Sequence, residues 1–265
     1  MKTRHILWIF TFLLGNACMP EEALPLRNTG SVPEYFIECY CQPGENLVLT
    51  ATHVIPLTDN VQYDFPQEMD VTLYTPNRIT LYYLFDSENI QDVQCNYQST
   101  SPLETSSGDT LHLRIKTHDK KWITAKTIVP SPVYIDNYTV NDNEATVRFY
   151  TSRNSRENYY IFTLEAWDGD VIRERKVAYL DYSQYHSGEA VEKSILCSEL
   201  ANASNAMLLL KRITRENYDY QISLNGADTA IQGSITNPVP LEGNLNGALG
   251  IFTCYTEDRK TIELP

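Results

Sequence analysis

The chain has 265 residues, 42% of them hydrophobic, with 21 Lys and Arg set against 34 Asp and Glu. A formal charge of −13 excludes binding to nucleic acid or anionic headgroups through a general basic coat. The length suffices for one large or two ordinary domains, and no repeat or low-complexity tract divides it.

The first residues read as an export leader. Lys2 and Arg4 precede an apolar run at residues 6–14, and Gly15-Asn16-Ala17 is small and polar. The run is shorter than the roughly 20 apolar residues that cross a bilayer. Cys18 stands where a leader of residues 1–17 is cut, as in bacterial lipoproteins, where the thiol takes a diacylglycerol. A plain secretory leader with an incidental Cys18 is the alternative. Cutting there removes Lys2 and Arg4 and leaves 19 basic against 34 acidic residues, a charge of −15. Attachment to a membrane then comes from the lipid and not from a basic patch. Residues 18–31 form an acidic tether with Pro20, Glu21, Glu22 and Pro25 and no periodicity.

Strand patterns follow. Residues 34–41 and 46–54 alternate about the turn Pro43-Gly44, and residues 71–74 and 78–85 continue the series. After a polar stretch at 98–109, residues 110–117 and 122–129 read as a hairpin. Pro130-Ser131-Pro132 is a stiff, helix-free boundary that predicts an exposed linker between domains at 32–130 and 131–265. Beyond it, residues 133–140 and 145–150 are strand-like, and 159–167 and 171–179 flank the hairpin signal Asp168-Gly169. A helix is predicted over 214–224, capped by Thr214 and ended by Asn225-Gly226. Residues 235–241, 249–255 and 260–264 read as closing strands. The fold class is therefore mainly all-β: two β-sandwich-like domains, the first immunoglobulin-like and the second β-rich with one helix.

Besides Cys18 the chain holds Cys39, Cys41, Cys95, Cys197 and Cys254, an odd number. Cys39 or Cys41 with Cys95, and Cys197 with Cys254, stay open as pairs beside the reading of buried free thiols.

Catalytic patterns are lacking. No Gly-x-Ser-x-Gly elbow, His-Glu-x-x-His helix or phosphate-binding loop occurs, so the chain reads as a non-enzyme with no cofactor. His186-Ser187-Gly188-Glu189 offers a nucleophile and a base, but neighbours in sequence seldom form a triad. His53, His112 and His118 have no trusted metal spacing, and Asp168 with Asp170 lacks the further ligands of a calcium loop. Gly247 and Gly250 suit a positive-φ turn or close strand packing. Tyr179, Tyr182 and Tyr185 bunch before His186 and form the candidate contact segment, with core packing as the rival explanation.

An ordered series of short motifs carries a family resemblance. It comprises Glu38-Cys39-Tyr40-Cys41-Gln42-Pro43-Gly44, residues 124–130, Asn158-Tyr159-Tyr160 and Asn217-Tyr218-Asp219-Tyr220. Asn237-Pro238-Val239-Pro240 and the run Asn246-Gly247-Ala248-Leu249-Gly250-Ile251-Phe252 complete it. In this order the motifs resemble the Bacteroidetes lipoprotein family catalogued as domain of unknown function 4249. The resemblance implies an outer-membrane lipoprotein, often encoded near a TonB-dependent transporter, and transfers no catalytic residue. Glu21 and Glu22 after Cys18 are similar to the surface-export signal of that phylum. The expectation is thus a lipid-anchored, outward-facing accessory or ligand-binding partner of a TonB-dependent transporter. The alternative is a structural adhesin or pilus-type subunit.

Overall fold

A computed structural model describes residues 33–54, 65–75, 78–84, 95–231 and 240–264. The first seven strands are β1 (Tyr35–Cys41), β2 (Asn46–His53), β3 (Asp70–Tyr74), β4 (Arg78–Tyr83), β5 (Tyr97–Pro102), β6 (Thr110–Lys116) and β7 (Trp122–Ile128). Then come β8 (Ile135–Val140), β9 (Glu144–Tyr150), β10 (Tyr159–Asp168), β11 (Val171–Asp181), β12 (Ala190–Leu196) and β13 (Asn205–Ile213). The helix α1 (Arg215–Ile231) and the strand β14 (Leu249–Glu263) close the series. The protein is mainly β and sandwich-like, with one helix among the described residues.

Alternation explains the first strands. In β1, Tyr35, Ile37, Cys39 and Cys41 are buried while the residues between them are half-buried. In β6, Leu111, Leu113 and Ile115 point inward and Thr110, His112 and Arg114 outward. Side chains two apart share a face of a strand, so this pattern fixes one side as core.

Hydrogen bonding orders one long sheet as β11-β10-β13-β14-β1-β2-β5-β4-β3-β6-β7, and a second as β12-β9-β8. The join is β14. Its first part, from Leu249 to Cys254, runs parallel to β1, and its second part, from Tyr255 to Glu263, antiparallel to β13. At the far end β7 returns towards β14. Thr124 and Asn246 exchange backbone bonds of 3.1 and 2.8 Å. The Asn244 amide reaches Lys126 O at 3.2 Å and Phe252 O at 2.7 Å. The sheet therefore curls around a core that includes Ile37, Leu49, Leu73, Leu113 and Phe252. A second core, with Phe149, Val191, Phe162 and Leu208, lies between the β10–β13 side and the three-stranded sheet. Residues 33–265 nevertheless group as one compact unit, since β14 contributes to both cores.

Gly247 and Gly250 have φ of 97° and 109°. A Cβ on Gly250 would lie 1.9 Å from Ile37 O, so close approach of β14 to β1 requires glycine there.

Several expectations are corrected. The helix is capped by Thr214, whose hydroxyl accepts from Asn217 N at 3.2 Å, but runs from Arg215 through Asn225-Gly226 to Ile231. Packing outweighs the cost of about 1 kcal/mol for an internal glycine: Tyr220 is buried beneath the helix and bonded to β1. Residues 249–255 and 260–263 belong to one strand, because the polar stretch between them stays in register with β13. The polar stretch 98–109 contains most of β5, where inward Ser99 is buried by accepting from Leu47 N at 2.9 Å. Residues 235–239 lie outside the described residues, and Pro240-Leu241 is not strand. Of the boundary segment, Pro130 is buried, Ser131 half-buried and Pro132 exposed, so the linker is exposed only at its end.

Candidate functional site

A cleft of about 670 Å³ opens where the end of β7 meets the loops that follow β9 and β11 and the start of α1. Its walls include Lys126, Arg156, Glu157, Gln184, Arg215 and Glu216. Charges of both signs therefore face one space. Arg215 is exposed and paired with Asp219 at 3.4 Å one helical turn on.

The floor is built from a short turn. Asn154 caps a 3-10 turn at Ser155–Glu157 by accepting from Arg156 N at 3.2 Å. Asn158, fully buried, closes the turn: its Oδ1 accepts from Ser152 N at 2.6 Å and from the Tyr160 hydroxyl at 2.9 Å. This geometry aims Glu157 at the Pro130-Ser131-Pro132 linker. Its carboxylate accepts from the hydroxyls of Ser131 at 2.6 Å and Ser152 at 3.0 Å, and from Asn154 Nδ2 at 3.1 Å. Burial pushes the Glu157 carboxyl up, but the bonds from Ser131, Ser152 and Asn154 together outweigh it and hold the group below its ordinary value.

Behind Ser131 sits Arg212 of β13, 4% exposed. One guanidinium nitrogen donates to Ser131 O at 3.0 Å, Ser131 Oγ at 2.7 Å and Pro132 O at 2.5 Å. The other reaches Tyr150 O at 3.2 Å and Tyr160 Oη at 3.3 Å. The chain Arg212 to Ser131 to Glu157 thus has a single proton direction, and it pins the linker. The linker is tied from β14 too, since Thr256 donates to Ser131 O at 2.9 Å. Chemically, the Ser131 hydroxyl is committed to a carboxylate with a cation at its back. That arrangement anchors and orients the linker.

The three candidate tyrosines are not one patch. Tyr185 is 47% exposed and lies edge-on to Tyr182 at 4.7 Å between ring centroids. Tyr182 packs against Phe149 and Tyr160 at 6.0 and 6.1 Å, on the margin of the second core. Tyr179 faces α1, its hydroxyl 3.4 Å from Gln221 Oε1. Gln221 in turn donates to Tyr40 Oη at 3.3 Å, and Tyr40 and Tyr220 both donate to Glu38, at 3.2 and 2.8 Å. Burial, then the Glu38 charge, pushes both phenols well up, so they stay protonated donors that seat the helix. The segment still meets the cleft, because Ser183 and Gln184 form part of its wall.

The other sequence candidates have local duties. Ser187 donates to Arg153 O at 2.9 Å, and Glu189 accepts from His186 N at 3.2 Å, so both shape the loop. Asp168 is paired with Arg173 across the β10–β11 turn. Among the described residues no group of three His, Cys, Asp or Glu is arranged to hold a metal. Cys39 and Cys41 have sulfurs 3.8 Å apart, and Cys254 lies in the same core, whereas Cys197 donates to Glu174 at 3.2 Å in the other. Cys18, Glu21 and Glu22 lie outside the described residues.

Glu157 and Arg212 are the residues that sequence reasoning missed. Asn154-x-x-Glu157 is a capping-box spacing and was a readable signal for the first. Arg212, closing the apolar run of β13, has partners some 50 to 80 positions away and left no local mark. No curated protein matches the chain. A family model described as "Domain of unknown function (DUF4249)" matches residues 26–261, and the chain belongs to that family.

Proposed function

We propose that this protein is an outward-facing outer-membrane lipoprotein, anchored through Cys18, that serves a TonB-dependent transporter as a non-catalytic accessory. The observation that carries the reading is the cleft. Its volume of about 670 Å³ falls within the usual range for small-ligand sites, its walls carry charges of both signs, and its Glu157 is held in place through Ser131 by Arg212. Such a wall suits holding a small polar nutrient at the point where the Tyr182–Tyr185 loop is free to touch a partner. Exposed Tyr185 supplies contact area at low entropic cost. The pilus-type reading stays as the alternative: donor-strand exchange needs a detachable edge strand, and β7, β11, β8 and β12 end the two sheets.

The test is co-purification. Wild-type protein, extracted in detergent from its native membrane, is expected to bring down a TonB-dependent transporter. Gln184→Ala with Tyr185→Ala is expected to weaken that association at unchanged melting temperature. Extraction that yields no transporter sinks the accessory reading. Cys18→Ser is expected to leave the outer-membrane fraction, and its retention there would sink the anchor.

A further inference from the structure

The outer face of the first sheet carries a second feature, which shares Lys126 with the cleft wall and is otherwise unused by the reading above. Register places Asp70 beside Lys116 and Lys116 beside Trp122, with Tyr82 of β4 level with Asp70. A parallel row sets Arg78 beside Tyr74, Tyr74 beside His112 and His112 beside Lys126. Between the rows Arg114 points outward, its guanidinium 4.6 Å from the Trp122 ring centroid and 5.7 Å from that of Tyr74. A groove of about 500 Å³ runs across this face.

The charge is against the grain of the molecule. In a chain of net −13, this face gathers Arg78, Arg114, Lys116 and Lys126 against Asp70. None of the four cations has an ion pair among the described residues. Around the second core, by contrast, Arg173, Arg175, Lys176, Lys211, Arg259 and Lys260 are each set against a carboxylate. Arg114 is held between two rings, so its planar fork is oriented before any ligand arrives.

We propose that this face binds an acidic oligosaccharide of the uronate type. Its carboxylates take Arg114 and Lys116. Trp122 and Tyr82, 51% and 57% exposed, offer flat surfaces at the two ends of one row. They stand three strand spacings apart, about 14 Å, which a few sugar rings span. Asp70, exposed between them, accepts from sugar hydroxyls, and the hydroxyl of Thr124 lies on the same face. An acidic peptide brings carboxylates and backbone N–H donors but lacks the sugar ring faces that Trp122 and Tyr82 are exposed to stack on. The combination of cations, flat rings and one acceptor carboxylate selects an anionic ligand rich in hydroxyls.

The inference goes beyond the accessory reading and is tested without a transporter, so either can fail alone. Full-length protein in detergent is titrated calorimetrically with hexameric galacturonate, with maltohexaose and with poly-glutamate of matched charge. Saturable binding of the galacturonate is expected, with no binding of the neutral sugar. Loss of one charge-assisted carboxylate contact is expected to weaken binding about tenfold in Arg114→Gln, and by a similar factor in Lys116→Gln. Absence of saturable galacturonate binding overturns the proposal. So does poly-glutamate binding of equal strength, which would make this a surface for acidic polypeptides. Wild-type affinity in Arg114→Gln, at unchanged melting temperature, overturns it as well; if that variant does not fold, the Lys116→Gln result decides.

Discussion

Replacing Arg212 with Ala tests whether the linker clamp holds the two cores together. Arg212 makes five hydrogen bonds, to Ser131 O, Ser131 Oγ, Pro132 O, Tyr150 O and Tyr160 Oη. Truncation leaves buried acceptors behind, each costing about 1–3 kcal/mol if unmet. The sum is an overestimate, because members of one network do not add and Ser131 O keeps its bond from Thr256. The guanidinium also carries a cost of its own, since its Nε–H is buried with no acceptor. Breaking a buried charged network costs about 3–5 kcal/mol, and that is the expected loss for Arg212→Ala. Arg212→Lys keeps the charge but not the fork, so an intermediate loss of roughly 2 kcal/mol is expected. Urea unfolding followed by tryptophan fluorescence gives both values, with the slope m as a check on the two-state form. Glu157→Gln completes the cycle. The folded-state pKa of Glu157 is depressed, so its contribution is present above the unfolded value and fades as pH falls through the folded one. Wild type and Glu157→Gln should therefore differ above the ordinary carboxylate range and converge in stability only once the pH has fallen below the depressed folded-state pKa. A loss under about 1 kcal/mol for Arg212→Ala, at unchanged m, would refute the clamp.

Other outcomes follow from the packing. Gly250→Ala forces a Cβ onto Ile37 O at positive φ and is expected to cost at least about 3 kcal/mol by urea midpoint; a loss below about 1 kcal/mol would contradict that close approach. Tyr182→Ala, which removes a ring from Phe149 and Tyr160, is expected to cost about 3 kcal/mol, and Tyr185→Ala less than about 1 kcal/mol, so equal shifts in melting temperature would contradict the assignment. Burial holds the Cys254 thiol up at about 12, and the Cys39 contact with burial holds Cys41 up. At pH 8, alkylation read by mass spectrometry should spare Cys39, Cys41 and Cys254 until denaturant is added, while part-exposed Cys95 reacts sooner. Equal labelling rates in native and denatured protein would contradict the buried cluster.

Where one face of a strand is core and the other solvent, the sequence was legible. β1, β2, β6 and β7 show that alternation, and Asp168-Gly169 marks the β10–β11 turn, with Gly169 at φ 58°. Legibility failed where burial is not one-sided. In β13 the run Leu208-Leu209-Leu210 is buried on both faces, so no period of two survives. β5 turns Ser99 inward, and a buried hydroxyl mimics a loop residue in sequence. β14 changes partner from β1 to β13 midway, so its apolar and charged parts resemble separate strands. The cleft was hidden for another reason. Its walls run from Thr110 to Glu216 and are assembled only by tertiary contact, so no local window contains it.

The position of β14 has a kinetic consequence. Phe36 of β1 is paired with Leu249, 213 positions later, so one of the earliest strands waits for one of the last. Contacts of such separation are entered late and slowly, because the intervening chain must first be closed into a loop. Until β14 arrives, β1 and β13 each present an unpaired row of amides and carbonyls, and both cores stand open beside them. Two half-built sheets with free edges in one molecule are a template for pairing with another chain. The newly made protein is therefore most exposed to aggregation just before its final strand is laid in, and a chain cut short of Leu249 would never leave that state.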